Sequence, residues 1–198
     1  MTRGPRAPAT TVVLIHGGRE VGTEPVRRFD LPVLRIKLFR LAISRRLRRR
    51  GIRVSCLRFR QQGWNADGAS ALADLRAFVD ETVVAGGAVV LVGHSMGGRA
   101  ATRLADHPGV LGVVGLAPWL PLGEPIVANV AGRWLLVAHG DSDRTTNPQA
   151  SLDFVQRAIV AGARARHVIV EAEGHALMHH RRWWNRYIVD SVVEILNL

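Results

Sequence analysis

The stretch "AVVLVGHSMGGRAATRL", residues 88–104, runs from apolar residues through clustered glycines into a helical pattern. A strand, a Gly-rich turn and a helix in that order serve two chemistries. The turn can cradle phosphates with its backbone N–H groups, or it can present one serine as a nucleophile. Gly93 and Gly98 have the spacing of a phosphate-binding loop, but Arg99 and Ala100 follow where a lysine and a hydroxyl residue are needed. The dinucleotide fingerprint fails as well, because Ser95 stands where a glycine must let backbone approach a pyrophosphate. The pattern G-x-S-x-G, in contrast, is complete in Gly93, His94, Ser95, Met96 and Gly97. A sharp turn from strand to helix needs small residues two places either side of its serine. The helix that follows offers free N–H groups to a developing oxyanion.

Working outward, six short runs read as strands: 10–15, 52–59, 88–93, 110–117, 133–139 and 166–172. They are rich in Val, Ile and Leu, and several are apolar at successive positions, which is the pattern of strands covered on both faces. Helical patterns fall at 31–50, 69–85, 96–106, 148–161 and 177–196. Strand alternating with helix predicts an α/β fold: a mainly parallel, doubly wound sheet of about six strands with helices on both faces. No repeat or linker interrupts the order, so residues 1–9 read as a short tail and 10–198 as a single domain. Ligands of such sheets gather beyond the carboxyl ends of the strands. The segments there are "HGGRE", "RQQGWN", "HSMGG", "PWLP", "GDSDR" and "EGHA", which hold a serine, several acids and several histidines.

On these residues the chain resembles the α/β-hydrolase family. The resemblance implies a nucleophile, an acid and a histidine in that order, the acid two strands beyond the elbow strand and the histidine after the last strand. Ser95 is then the nucleophile and His175, preceded by Gly174, the base. The acid is Asp143 or Asp141; "HGDSDRTTNP" resembles the family's H-G-x-x-D-x-x-x-x-P segment, which favours Asp143. The family's oxyanion hole maps to the N–H groups of Met96 and of Gly18 in "HGGR", although Arg19 departs from the fuller H-G-G-G form. The segment "PWLPLGEPIVANVAG" is too short for the helical cap that many relatives insert there. This implies a minimal, uncapped core with an open site, most similar to small lidless esterases, thioesterases and dienelactone-hydrolase-like proteins. Dienelactone hydrolases carry cysteine at the nucleophile position, so Ser95 argues against that activity.

The implied function is hydrolysis of a small carboxylic ester or thioester through an acyl-enzyme, with no metal or organic cofactor. A non-catalytic scaffold that keeps the fold, and acyl transfer to an acceptor other than water, stay open as alternatives. Trp64 and Trp119 each follow a strand and are the candidate substrate-binding residues, with plain packing as the other reading. Arg19, Arg60 and Arg144 are candidates for a rim that favours an anionic substrate.

Composition narrows the partners. The formal charge is +11, nearly all from arginine, and is densest in "SRRLRRRG" at 44–51. Cations at a helix C-terminus suit its dipole, and no zinc-finger or RNA-binding signature accompanies them, so nucleic acid is not expected. The basic, amphipathic segment 31–50 suits a membrane surface in principle, but its apolar positions are read as a helix packed on the sheet. No apolar run is long enough to span a bilayer, so stable membrane insertion is not expected. The apolar run near the N-terminus is too short for a signal-peptide core and reads as a core strand, so a cytoplasmic location is expected. The lone Cys56 rules out an internal disulfide framework and is read as a small buried filler.

Overall fold

The computed structural model describes residues 9–198, so most of the expected tail lies outside the described residues. Ala9 already belongs to the first strand. The elements are β1 (Ala9–Ile15), α1 (Leu31–Arg48), β2 (Arg53–Leu57), α2 (Asn65–Val84), β3 (Gly87–His94), α3 (Met96–Thr102), β4 (Val110–Leu116), β5 (Trp134–Gly140), α4 (Pro148–Val160), β6 (Arg164–Val170) and α5 (Arg181–Leu196). All six strands pair in parallel, in the order β2-β1-β3-β4-β5-β6.

Successive strand residues point to opposite faces, and the core divides accordingly. Val13, Ile15, Leu91 and Val113 pack with Leu75, Ala101 and Phe154 from α2, α3 and α4. Val12, Leu14, Val90 and Val114 pack with Ile36, Ile43, Trp184 and Ile188 from α1 and α5. Burying both faces of β1 and β3 explains their unbroken apolar runs; each such side chain contributes roughly 1.5–3 kcal/mol. The sheet's outer strands carry arginine, with exposed Arg53 opening β2 and Arg164 opening β6, which discourages pairing with another chain.

Strand order also decides where a ligand can sit. From β1 the chain crosses to β2 on one side, and from β3 it crosses to β4 on the other. The loops after β1 and β3 therefore part company, leaving the crevice where open α/β sheets bind ligands. The helical part of α2 begins late, because Ala66, Asp67 and Gly68 turn left-handed with φ of 45°, 56° and 82°. Asn147 caps α4 by accepting from the N–H of Gln149 at 2.9 Å, with Pro148 opening the helix. Between β4 and β5 lie only turns, so no cap domain covers the carboxyl edge.

Three histidines are held neutral by the sheet. Burial lowers the pKa of His16, of His94 most strongly, and of His167, which falls to about 4. Between about 6.5 and its folded value, each histidine binds a proton more readily in the unfolded chain, so stability falls as pH falls. The expected outcome is a thermal midpoint that drops as pH goes from about 7 towards 5. A full proton of difference is worth about 1.4 kcal/mol per pH unit. His167→Gln, read by calorimetry across that range, should flatten the slope; an unchanged slope would contradict the assignment.

Candidate active site

The turn after β3 is built around Ser95, whose backbone is left-handed in φ (φ 55°, ψ −122°). Such a conformation costs a non-glycine residue on the order of 1–3 kcal/mol. It is held by four hydrogen bonds. The Ser95 N–H donates to the Leu116 carbonyl at 3.2 Å, and the Ser95 carbonyl accepts from Gly98, Arg99 and Trp119 at 2.9, 3.2 and 3.0 Å. A Cβ on Gly93 would collide with the Gly97 carbonyl, and one on Gly97 would stand 2.5 Å from the His16 carbonyl. This close approach is why the motif needs glycine at both places.

The other predicted residues converge on this turn. His175 follows β6 and donates from Nδ1 to Asp143 Oδ2 at 2.7 Å, while Asp141 is exposed and accepts from the Ser142 hydroxyl at 2.9 Å. Asp143 is bonded from every side. Its Oδ1 accepts from the N–H groups of Thr145 and Thr146 at 2.8 and 2.9 Å. Its Oδ2 also accepts from the Thr146 hydroxyl at 2.9 Å and from His139 Nε2 at 3.2 Å. Burial alone would push this carboxyl up, but the hydrogen bonds from His139, His175 and Thr146 outweigh it and hold it ionised well below the usual carboxylate range. An ionised Asp143 keeps the His175 proton on Nδ1, which leaves Nε2 as the nitrogen able to accept one.

His94 links the two halves. Its Nε2–H donates to the His175 backbone carbonyl at 2.9 Å, and the two rings lie 4.8 Å apart. Burial, and then the charges of His175 and Arg35, hold the His94 imidazole well below its ordinary range. Among the described residues no hydrogen bond joins the Ser95 hydroxyl to His175, a contact that commonly tightens only with substrate.

Gly17 and Gly18 pass directly over the turn. A Cβ on Gly17 would lie 3.1 Å from the Ser95 Cβ, and one on Gly18 would lie 2.6 Å from the Met96 Sδ. His16 fixes this loop by donating from Nδ1 to the Gly17 carbonyl at 2.6 Å and accepting from the Phe59 N–H at Nε2, 3.1 Å away. Beside it opens a cavity of ≈ 280 Å³ whose walls include His16, Gly18, Val26, Leu31 and Val33.

Trp64 and Trp119 do stand at the carboxyl end of the sheet, but their rings are already occupied. They clasp the Arg99 guanidinium, 4.5 and 4.6 Å from the two ring centres, and neither lines the cavity beside Gly18. Arg99 also stands 2.8 Å from the buried carboxylate of Glu124, which accepts from Arg103 Nε at 2.5 Å. Arg99 reaches Glu124 Oε2 through Nη2, and neither Glu124 Oε2 nor Arg99 Nε has a hydrogen-bond partner among the described residues. Charge and the two indole faces therefore hold this guanidinium more than directed bonds do. Arg60 is likewise engaged, by Asp74 at 2.5 Å.

Sequence reasoning passed over His94, His139, Thr146 and Glu173. Two of these had a signal, since His94 lies inside the motif and His139 four residues before Asp143. Glu173 is fully buried and accepts from the N–H groups of Gly174 and His180 and from Trp184 Nε1 at 3.0, 2.8 and 3.0 Å, tying down the loop that carries His175. Among the described residues, no group of three or more His, Cys, Asp or Glu is placed to hold a metal ion, and no helix is long and apolar enough to cross a membrane.

Similar proteins share this arrangement of the chain. XC6422 from Xanthomonas campestris, described as an a/b serine hydrolase without lid, is 21% identical with a TM-score of 0.69, over 96% of this chain and 83% of that one. Est1E from Butyrivibrio proteoclasticus is 14% identical with a TM-score of 0.66, over 98% and 90%. The Pyrococcus furiosus esterase Pf2001 is 14% identical with a TM-score of 0.67, over 94% and 81%. At these identities the likeness is one of fold. No curated protein matches the chain. The model of the alpha/beta hydrolase family matches residues 12–132, from β1 through the elbow to the turns before β5. The chain belongs to the alpha/beta hydrolase family.

Proposed function

We propose that the protein is a serine hydrolase that cleaves a carboxylic ester or thioester. The observation that carries this reading is the His175–Asp143 pair, 2.7 Å apart, brought to a strained serine turn at the sheet's switch point. Ser95 Oγ attacks the acyl carbon as His175 Nε2 takes its proton, and Asp143 stabilises the imidazolium that forms. The tetrahedral oxyanion is held by the N–H groups of Met96 and Gly18, neither of which is engaged by another residue among those described. Collapse expels the alcohol or thiol with the proton returned by His175. Water then attacks the acyl-enzyme through the same base and frees the acid. No step calls on a cofactor.

The cavity between Gly18 and Val33 is the place for the acyl group, since Gly17, one of its walls, packs against Ser95 while the tryptophan side is filled by Arg99.

A fluorophosphonate probe tests the nucleophile. Wild-type protein should be labelled with loss of activity towards aryl esters, and Ser95→Ala should stay unlabelled and fall at least about 10³-fold in kcat/KM. Labelling of the Ser95→Ala variant, or none of the wild type, would sink the proposal. For the acyl site, Val33→Phe should lower kcat/KM for a hexanoyl ester about tenfold more than for acetate; a uniform change would place the acyl chain elsewhere.

A further inference from the structure

Residues 27–53 carry eleven of the chain's 27 lysine and arginine side chains and one of its 16 acidic ones, Asp30. Nearly the whole excess charge of +11 thus sits on α1, the turns at its ends and the start of β2. The fold uses one face of α1, burying Val33, Ile36, Phe39, Ile43 and Leu47. The other face is not an ordinary polar surface. Leu38 is 50% and Leu41 77% exposed, with Phe29 at 69% just before the helix. Exposed Arg40, Arg45 and Arg48 stand among them.

Two further observations separate this face from a solvated charge run. Among the described residues, none of the eleven cations pairs with a carboxylate, whereas Arg60, Arg99, Arg103, Arg157 and Arg166 elsewhere all do. Between α1 and the edge strand β2 there is also a groove of ≈ 460 Å³, lined by Arg40, Arg45, Arg48 and Arg53 around Leu41. The helix dipole accounts for Arg45, Arg46 and Arg48 in the last turn. It does not account for the leucines or for Arg53 on the strand.

We propose that this face docks peripherally on an anionic lipid surface. Phe29, Leu38 and Leu41 enter the boundary between headgroups and acyl chains, and the four arginines of the groove hold lipid phosphates. Charge complementarity selects an anionic partner. The interleaved aliphatic side chains select lipid over nucleic acid, which rewards cations and stacking aromatics but not leucines. Leu31, at the start of the same helix, borders the cavity beside Ser95, so docking brings that cavity to the lipid boundary and to esters dissolved in it. Only this last link rests on the proposed hydrolase reading.

Vesicle co-sedimentation tests the docking without any activity readout, and the exposed positions can be changed without touching the core. Wild-type protein should sediment with vesicles of phosphatidylcholine and phosphatidylglycerol but not with phosphatidylcholine alone. Partitioning should fall more than about tenfold at roughly 0.5 M salt. An Arg45→Glu, Arg48→Glu variant should lose at least about fivefold for each arginine, and Leu38→Ser, Leu41→Ser at least about tenfold. Absence of binding to the anionic vesicles would overturn the proposal. So would full binding by the leucine variant, or release of the protein by duplex DNA at equal phosphate. Anionic-vesicle binding that survives in a chain inert to the fluorophosphonate would uphold the docking and count against the hydrolase alone.

Discussion

The left-handed backbone at Ser95 is the constraint on which the site depends. It forces glycine at 93 and 97, because the turn presses Gly93 against the start of α3 and Gly97 against the backbone at the end of β1. It is sustained by hydrogen bonds to β4 and from Trp119, together with those from Gly98 and Arg99 in the first turn of α3. Ala117, Ala172 and Leu177 also take positive φ just beyond β4 and β6. Non-glycine strain therefore gathers along the carboxyl edge, where the loops must turn sharply to converge.

Bringing Asp143 against His175 is an electrostatic problem that the chain solves with neighbours distant in sequence. Asp143 is buried and still charged because five donors surround it. Glu173 performs the same service one loop away, and its backbone carbonyl accepts from the Ser142 N–H at 3.1 Å, joining the acid and histidine loops. Burial pushes the Glu173 carboxyl up, but the bonds from His180, Trp184 and Gly174 prevail and lower its pKa.

Much of this was legible in the sequence, and for physical reasons. Doubly covered strands write themselves as unbroken apolar runs, so all six strands lay within three residues of their expected bounds. The turn at Ser95 was legible because its geometry tolerates few residue types. Asp141, Asp143 and His175 all stand beyond strand ends, and only the family resemblance singled out Asp143 and His175 among such residues. What one chain cannot display is side-chain direction in loops. Trp64 and Trp119 looked equally suited to walling a pocket or to packing, and the outcome turned on Arg99, a residue noted only for not being a lysine. The cavity beside Gly18 escaped for a similar reason, since its far walls come from residues 26–33, the approach to α1 and its first turn, which carry no motif. The basic face of α1 was read as a helix packed on the sheet, and its buried residues show that it is; its second face emerged only with exposure and ion pairing in view.

The central claim is geometric: Ser95, the Gly18 loop and the cavity form one site. It is tested most directly by the crystal structure of the protein after reaction with a dialkyl aryl phosphate. The account predicts phosphorus bonded to Ser95 Oγ, its free oxygen within about 3 Å of the Met96 and Gly18 nitrogens, and an alkoxy group directed towards Val33. Phosphorus on any other residue, or an oxygen turned away from both nitrogens, would contradict it.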